Sequence, residues 1–307
     1  MIYRSKAPLR IGLAGGGTDV SPYCDLYGGA ILNATVSLYA YANIEPSPEN
    51  AIVLHAVDRK EEQRFEWSTE LPVDGKLDLL KGVYNYIQRE YALPLTGFTL
   101  STHVDAPAGS GLGTSSTLVV AIIGAFAEML RLPLGEYDVA QIAYKIERND
   151  LKMAGGRQDQ YAATFGGVNY MEFFAADKVI VNPLRIKQQY LFELENNLVL
   201  YYTATSRESA KIIEVQSQNV TDKKGKPIEA MHQLKLQAQM MKEALLKVID
   251  IGFDVLKLHS IEAHINPGNE ASAGILTSSG FVKEAHFKEN FFFKGNFRDT
   301  AIYSRLQ

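Results

Sequence analysis

The sequence predicts an α+β protein, on three observations. The first seventy residues read as β-rich, with partly alternating stretches such as Ser37-Leu-Tyr-Ala-Tyr-Ala-Asn-Ile44. In Asp105-Ala-Pro-Ala-Gly-Ser-Gly-Leu-Gly-Thr-Ser-Ser-Thr117, three glycines alternate with other residues, and the apolar run Leu118 to Phe126 follows at once. That is the pattern of a backbone loop feeding a helix. The last sixty residues change character and return to short strands. With 307 residues, 46% of them hydrophobic, the chain is long enough to bury a sizeable core as one large domain or two ordinary ones.

Taken in order, Pro8 to Ala14 reads as a strand, and Gly15-Gly-Gly-Thr-Asp19 as a turn after it. Ala30 to Ile44 is a second β-rich stretch, and Ile52 to Val57 with Gln63 to Trp67 forms a hairpin. Leu77 to Tyr91 is helical, and Gly97 to Val104 is a strand entering the glycine loop. Thr117 to Arg131 is a buried helix and Leu134 to Asp150 an amphipathic one. Val179 to Val181 is a short strand stopped by Asn182-Pro183, and the polar Lys187-Gln-Gln189 marks a domain boundary. Leu198 to Thr203 is a strand; Thr205 to Glu214 and Ile228 to Asp250 are helices around the charged loop Thr221 to Lys226. Leu258 to Ile265 is a strand, Asn269 to Ser278 a short helix, and Phe281 to Glu284, Phe287 to Phe293 and Thr300 to Leu306 are strands. The last two are joined by a turn at Lys294 to Asn296.

A net charge of −4 argues against a nucleic-acid partner. A single cysteine, Cys24, excludes an intrachain disulfide. No apolar run follows Lys6 and Arg10 as in a signal peptide, and none is long enough for a membrane span, so a cytoplasmic setting without a membrane partner is expected.

The glycine loop carries the chemistry. Such a loop lets several peptide N–H groups converge on one anion, and the helix N-terminus adds partial positive charge. Di- and triphosphates are the natural guests. No Gly-Lys-Ser/Thr follows, so the loop is not a Walker A motif. Two further segments bear on it: Arg10 with Gly15-Gly-Gly-Thr-Asp19, and Glu147-Arg-Asn-Asp-Leu-Lys-Met-Ala-Gly-Gly-Arg-Gln-Asp159. An isolated arginine or carboxylate is ordinarily a solvated surface group; the combination is far more specific.

Together these segments resemble the GHMP superfamily of sugar and mevalonate kinases. Ala7-Pro-Leu-Arg-Ile-Gly-Leu-Ala-Gly-Gly-Gly-Thr-Asp19 and Gly155-Gly-Arg-Gln-Asp-Gln-Tyr-Ala-Ala163 are similar to its heptose 7-phosphate 1-kinase branch, and L-fucokinase domains share much of that pattern. The resemblance covers roughly residues 1 to 240. It implies a GHMP kinase N-terminal domain and a two-domain cleft that takes ATP, Mg²⁺ and a small sugar or sugar phosphate. It further implies that Pro107, Gly109, Ser110, Gly111, Leu112, Gly113, Thr114, Ser115 and Ser116 hold ATP, and that Ser115 and Glu147 hold the metal. Asp159 would take the proton of the attacking hydroxyl, with Arg10 beside it to keep it ionised and to stabilise developing charge. Gly16, Gly17, Thr18 and Asp19 would contact the sugar. Arg157 would meet an anionic substrate group or stand as an exposed loop arginine; Arg207 is a weaker phosphate candidate.

The superfamily's third signature, a glycine cluster in the C-terminal domain, is absent: after Gly167 the glycines at 225, 252, 268, 274, 280 and 295 are isolated. In its place, Glu243 to Ser272, Gly280-Phe-Val-Lys-Glu284 and Asn290 to Tyr303 resemble the end of a GNAT-superfamily N-acetyltransferase, whose coenzyme A arm would lie near Asn269 and Ser272. The coenzyme loop of that family is missing at Leu236-Gln-Ala-Gln239. The expected organisation is therefore a kinase N-terminal domain over residues 1–185, the start of a kinase C-terminal domain over 186–240, and a GNAT-like fragment over 241–307, making an incomplete or atypical C-terminal α+β domain. The expected activity is ATP-dependent phosphorylation of a sugar's anomeric hydroxyl, with a heptose 7-phosphate as substrate. Three alternatives stand beside it: an L-fucokinase, a nucleotide- and sugar-binding hybrid without turnover, and an acetyltransferase-related protein judged by the tail.

Overall fold

The computed structural model describes residues 1–93, 97–184, 186, 188–198, 209–250, 260–265, 267–268, 273, 276–277, 281–293 and 296–306. They form strands β1 (Tyr3–Ala14) and β2 (Gly29–Pro46) separated by helix α1 (Tyr23–Tyr27), then the hairpin β3 (Ala51–Ala56) and β4 (Glu61–Glu66). Helix α2 (Asp78–Tyr91) leads to β5 (Phe98–Val104) and α3 (Thr114–Leu130). Helix α4 (Glu136–Lys145) runs into a π-helical turn, Ile146–Asp150, followed by α5 (Gln158–Phe165), β6 (Val168–Phe173) and β7 (Val179–Pro183). Helices α6 (Gln188–Asn197), α7 (Ser209–Thr221) and α8 (Gly225–Asp250) precede β8 (Ser260–Ile265), β9 (Val282–Phe293) and β10 (Asn296–Leu306).

Strands β1 to β7 make one sheet in the order β4-β3-β5-β2-β6-β7, with β1 paired antiparallel to β2 along much of its length. The long strand β2 is its spine, holding β5 through Ala40–Pro46 and β6 through Gly29–Ala34. Helix α3 packs on β1 and β2 and touches α2, α4 and α5. Its Val119, Ile122, Ile123 and Phe126 are buried with Ile44, Ile52, Leu54 and Leu100 of the sheet and Val83, Tyr84 and Ile87 of α2. An apolar helix surrounded in this way is held by burial rather than by helix propensity. The α+β class is as predicted.

The chain divides into two compact units, Met1–Gln239 and Met240–Gln307. In the second, β8, β10 and β9 form an antiparallel sheet in that order around Ile265, Phe281, Ala301 and Tyr303.

Several expectations need correction. Helix α3 begins at Thr114, because Gly113 in the left-handed region turns the chain immediately before it. The helix expected over Leu134–Asp150 becomes α4 plus the π-turn. The two strands expected over Phe281–Glu284 and Phe287–Phe293 are one strand, β9, from Val282 to Phe293; the polar Lys288-Glu-Asn290 within it is an irregularity in which the Glu289 amide donates to Asp299. The helices α1, α5 and α6 and the strand β6 were not expected. The Leu198–Thr203 strand and the Asn269–Ser278 helix lie largely outside the described residues, as do Arg207, Asn269 and Ser272.

Candidate active site

The loop after β5 and the end of β1 meet at Arg10. The Arg10 amide donates to the Leu112 carbonyl at 3.1 Å, and its Nη1 donates to the Gly111 carbonyl at 2.7 Å. Its Nε donates to Asp159 Oδ1 at 2.7 Å, and Nη2 stands 2.5 Å from the same oxygen. One guanidinium thus ties β1, the loop and α5 together. Arginine suits this because its planar fork offers several fixed donors at once. Gly113 lets the loop close on Asp159. Its φ is +76°, and a Cβ there would sit 3.2 Å from the Asp159 carboxyl carbon. The Asp159 side chain keeps a quarter of its surface open, so it is reachable by a substrate.

Glu147 lies in the π-turn after α4 and is 1% exposed. Ser116 Oγ donates to its Oε1 at 3.0 Å and Gln160 Nε2 to its Oε2 at 2.5 Å. Gln160, the residue after Asp159, also donates to Ser116 at 3.1 Å. Burial pushes the Glu147 carboxyl up; Arg148 and the two donors pull it back, and the charge of Asp159 pushes it further up. The nearest cation is Arg148 Nη1 at 3.9 Å. Local π-turns occur often at functional sites, and this one places a carboxylate among neutral donors behind the loop. Gln160 escaped the sequence reading, although its adjacency to Asp159 was a usable signal. Ser115, expected beside Glu147, instead lines a cleft of about 360 Å³ with Ala56, Asp58, Thr102, Leu118 and Met153. Ser116 holds the position against Glu147, because successive residues at a helix start point about a quarter-turn apart.

Elsewhere in the loop, Ser110 has a buried Oγ without a partner, and Gly109 and Gly111 have φ of 77° and 80°. The Ser110 amide donates to Pro107, and Leu112 packs with Leu9 and Ala106. Thr114 opens α3.

The Gly15–Asp19 turn is more closed than expected. Thr18 Oγ1 is bound to the carbonyls of Gly15 and Ala30 and to the Ala30 amide. Asp19 Oδ2 accepts from the amides of Arg157 at 2.7 Å and Gln158 at 2.9 Å. Both side chains are buried in these contacts. Gly16 stays open, and Gly17 lies against Gln216 of α7, whose Nε2 donates to the Gly17 carbonyl. Nothing in the sequence flagged Gln216. Arg157 is neither a loop arginine in solvent nor free for an anion. It is 4% exposed, pairs with Asp25 and Asp177, donates to the Phe174 carbonyl and stacks over Tyr144.

Among the described residues no three His, Cys, Asp or Glu side chains gather as an ion site, and no helix is long and apolar enough to cross a membrane. Glu147, Ser116 and the nearby Asp159 offer hard oxygen donors, with Arg148 the cation facing Glu147 at 3.9 Å. Oxygen donors of this kind are chemically suited to a magnesium ion.

A glycine-rich loop at a helix start, a partly exposed carboxylate held by arginine and a buried carboxylate behind them make the kind of arrangement that phosphoryl transfer uses. The family described as GHMP kinases N terminal domain matches residues 78–167. A D-glycero-alpha-D-manno-heptose 7-phosphate kinase from Campylobacter jejuni is 50% identical over 244 residues, 80% of this chain and 71% of that protein. The crystal structure of a D-glycero-D-manno-heptose 1-phosphate kinase from Bacteroides thetaiotaomicron superposes with a TM-score of 0.71 at 43% identity, over 99% of this chain and 88% of that one. A putative sugar kinase from Campylobacter jejuni gives a TM-score of 0.66 at 40% identity, over 98% and 87%. The chain belongs to the GHMP kinase family and is a sugar kinase. The Acetyltransferase (GNAT) domain family also matches, over residues 212–282.

Proposed function

We propose that the protein transfers the γ-phosphoryl group of ATP to the anomeric hydroxyl of D-glycero-D-manno-heptose 7-phosphate, giving the 1,7-bisphosphate. The observation that carries this reading is the Arg10–Asp159 couple closed against Gly111 and Gly113 of the loop. The relatives named above supply the substrate class.

On this reading, the loop amides and the start of α3 receive the β- and γ-phosphates, and Ser110 Oγ, buried without a partner, is available to one of their oxygens. The cleft beside Ser115 suits the nucleoside end of ATP. Asp159 accepts the proton of the anomeric hydroxyl as its oxygen bonds to the γ-phosphorus and the bond to the ADP oxygen breaks. Arg10 holds the Asp159 carboxyl in place before the step and offsets charge on the phosphoryl oxygens during it. Glu147 and Ser116 would hold Mg²⁺, which neutralises phosphate charge when bound. Residues 1–185 act as the nucleotide-binding domain, 186–240 begin the second domain, and 241–307 form the acetyltransferase-like part; the acetyltransferase match, over residues 212–282, starts before that last boundary.

An ADP-release assay with the heptose 7-phosphate, L-fucose and galactose as acceptors tests the reading. Turnover is expected with the heptose phosphate, and Asp159→Asn should lower kcat by about 100-fold or more. Tight nucleotide binding without turnover on any acceptor would overturn it in favour of a non-catalytic binding protein.

A further inference from the structure

Two glycine-rich segments of this chain, Gly15-Gly-Gly-Thr-Asp19 and Gly155-Gly-Arg-Gln-Asp159, are far apart in sequence and interlock in space. Asp19 is 1% exposed, and its Oδ2 receives two consecutive backbone amides, Arg157 and Gln158, at 2.7 and 2.9 Å. Its Oδ1 lies 3.5 Å from Gln158 Nε2. Those amides open α5, and residue 157, at the N-terminal boundary of α5, supplies no side-chain cap. The first N–H groups of a helix lack intrahelical partners, and a carboxylate placed there satisfies them and complements the helix dipole. Here that carboxylate comes from a residue 138 positions earlier. Gly156 makes room for it, since a Cβ at 156 would overlap Asp19 Oδ2. Thr18, bound to Gly15 and Ala30, fixes the other side of the turn. Asp159 is the second residue of α5, one residue beyond the anchored amides, and it meets Arg10 at the other end of the interlock.

We infer that Asp19 is a positioning residue: by anchoring the first amides of α5 it fixes where Asp159 stands relative to Arg10 and the phosphate loop, rather than binding the sugar itself. The inference deepens the phosphoryl-transfer reading and rests on it. It also explains why an aspartate and a pair of glycines accompany Asp159, since Gly156 and Asp19 are two halves of one contact.

The test uses full-length Asp19→Ala, Asp19→Asn and Gly156→Ala proteins, with steady-state kinetics on the heptose 7-phosphate and hydrogen exchange over the start of α5. In Asp19→Ala the amides of Arg157 and Gln158 should exchange at least about tenfold faster, because their acceptor is gone. Misplacing a catalytic group by about 1 Å costs on the order of 100-fold; kcat should fall by about that factor while the sugar KM stays within about threefold. Asp19→Asn, which retains an acceptor oxygen, should recover part of both losses. Gly156→Ala should reproduce the kcat loss with Asp19 intact, which covers the case that Asp19→Ala does not fold. A sugar KM raised tenfold or more, with kcat and amide exchange unchanged, would overturn the inference and make Asp19 a sugar ligand. Unchanged exchange in all three proteins would overturn it as well. Absence of turnover in the unaltered protein would strike the phosphoryl-transfer reading instead, and the exchange measurement would still decide whether Asp19 anchors α5.

Discussion

Glu147 is the residue whose surroundings say most about how this site is held in readiness. A carboxylate at 1% exposure, bonded to a hydroxyl and an amide, carries a desolvation cost that these donors and Arg148 offset only in part. Burial raises its pKa above the ordinary 4.5 of a glutamate. Between that value and the raised one the folded state binds more protons than the unfolded chain, so stability falls as pH rises through this window. The cost is absent below the unfolded pKa and fully present above the folded one. Glu147→Gln removes it, so the variant's Tm should exceed that of the unaltered protein by a margin that is small near pH 4 and grows towards pH 7. Mg²⁺ with nucleotide should offset the same cost in the unaltered protein and do little for Glu147→Gln, because a ligand that binds only the folded state stabilises by mass action. Thermal unfolding across pH, with and without the metal, measures both. A margin that shrinks with rising pH would contradict the assignment of burial as the cause.

At the scale of elements, α3 and α5 show what can and cannot be read from a sequence. The loop and α3 were legible because nine apolar or small residues, Leu118 to Phe126, run unbroken after the loop, and only burial accommodates such a run. Its start was misplaced by three residues, since Thr114, Ser115 and Ser116 read as loop residues until the turn at Gly113 is known. Helix α5 was not legible: it is eight residues long, its polar and apolar residues show no clear stripe, and its cap comes from Asp19. Strand β6 was missed for a related reason, since it is buried on both faces, Asn169 included, and so does not alternate. The three candidate site residues Arg10, Glu147 and Asp159 came from spacing and resemblance, whereas the buried contacts of Thr18, Asp19 and Arg157 depend on partners more than a hundred positions away or on backbone carbonyls, which no local pattern encodes. The same logic gives a prediction for α3. Phe126 is fully buried and packs edge-on against Phe98 with ring centroids 5.8 Å apart. Phe126→Ala should destabilise by about 3–5 kcal/mol through lost burial and a residual cavity. Glu128→Ala, two residues along on the exposed side, should stay within about 0.5 kcal/mol. Denaturant unfolding compares the two; equal effects would mean that α3 is not the centre of the core.

For the whole molecule, the question is what the part after residue 240 contributes to a kinase site. Arg10, the loop from Pro107 to Ser116, Glu147, Asp159 and Gln216 all fall within Met1–Gln239, which also holds the clusters around α3 and β2. The tail closes a small cluster of its own, with Tyr303 8% exposed beside Ile265, Phe281 and Ala301. Among the described residues, this three-stranded sheet rests on a few buried side chains, and a small cluster gives modest resistance to unfolding. Tyr303→Ala removes the largest of them and should cost that cluster roughly 3 kcal/mol. If the tail is energetically separate, limited proteolysis of this full-length variant should cut first beyond residue 240 and leave a persistent fragment of about the first 240 residues. The affinity for a fluorescent ATP analogue should then stay within about twofold of the unaltered protein's, because each residue assigned to the nucleotide lies in the surviving part. If the tail takes over the task of the missing glycine cluster, the same substitution should weaken nucleotide binding tenfold or more while the tail is still uncut. The two outcomes separate a tail that accompanies the site from one that completes it.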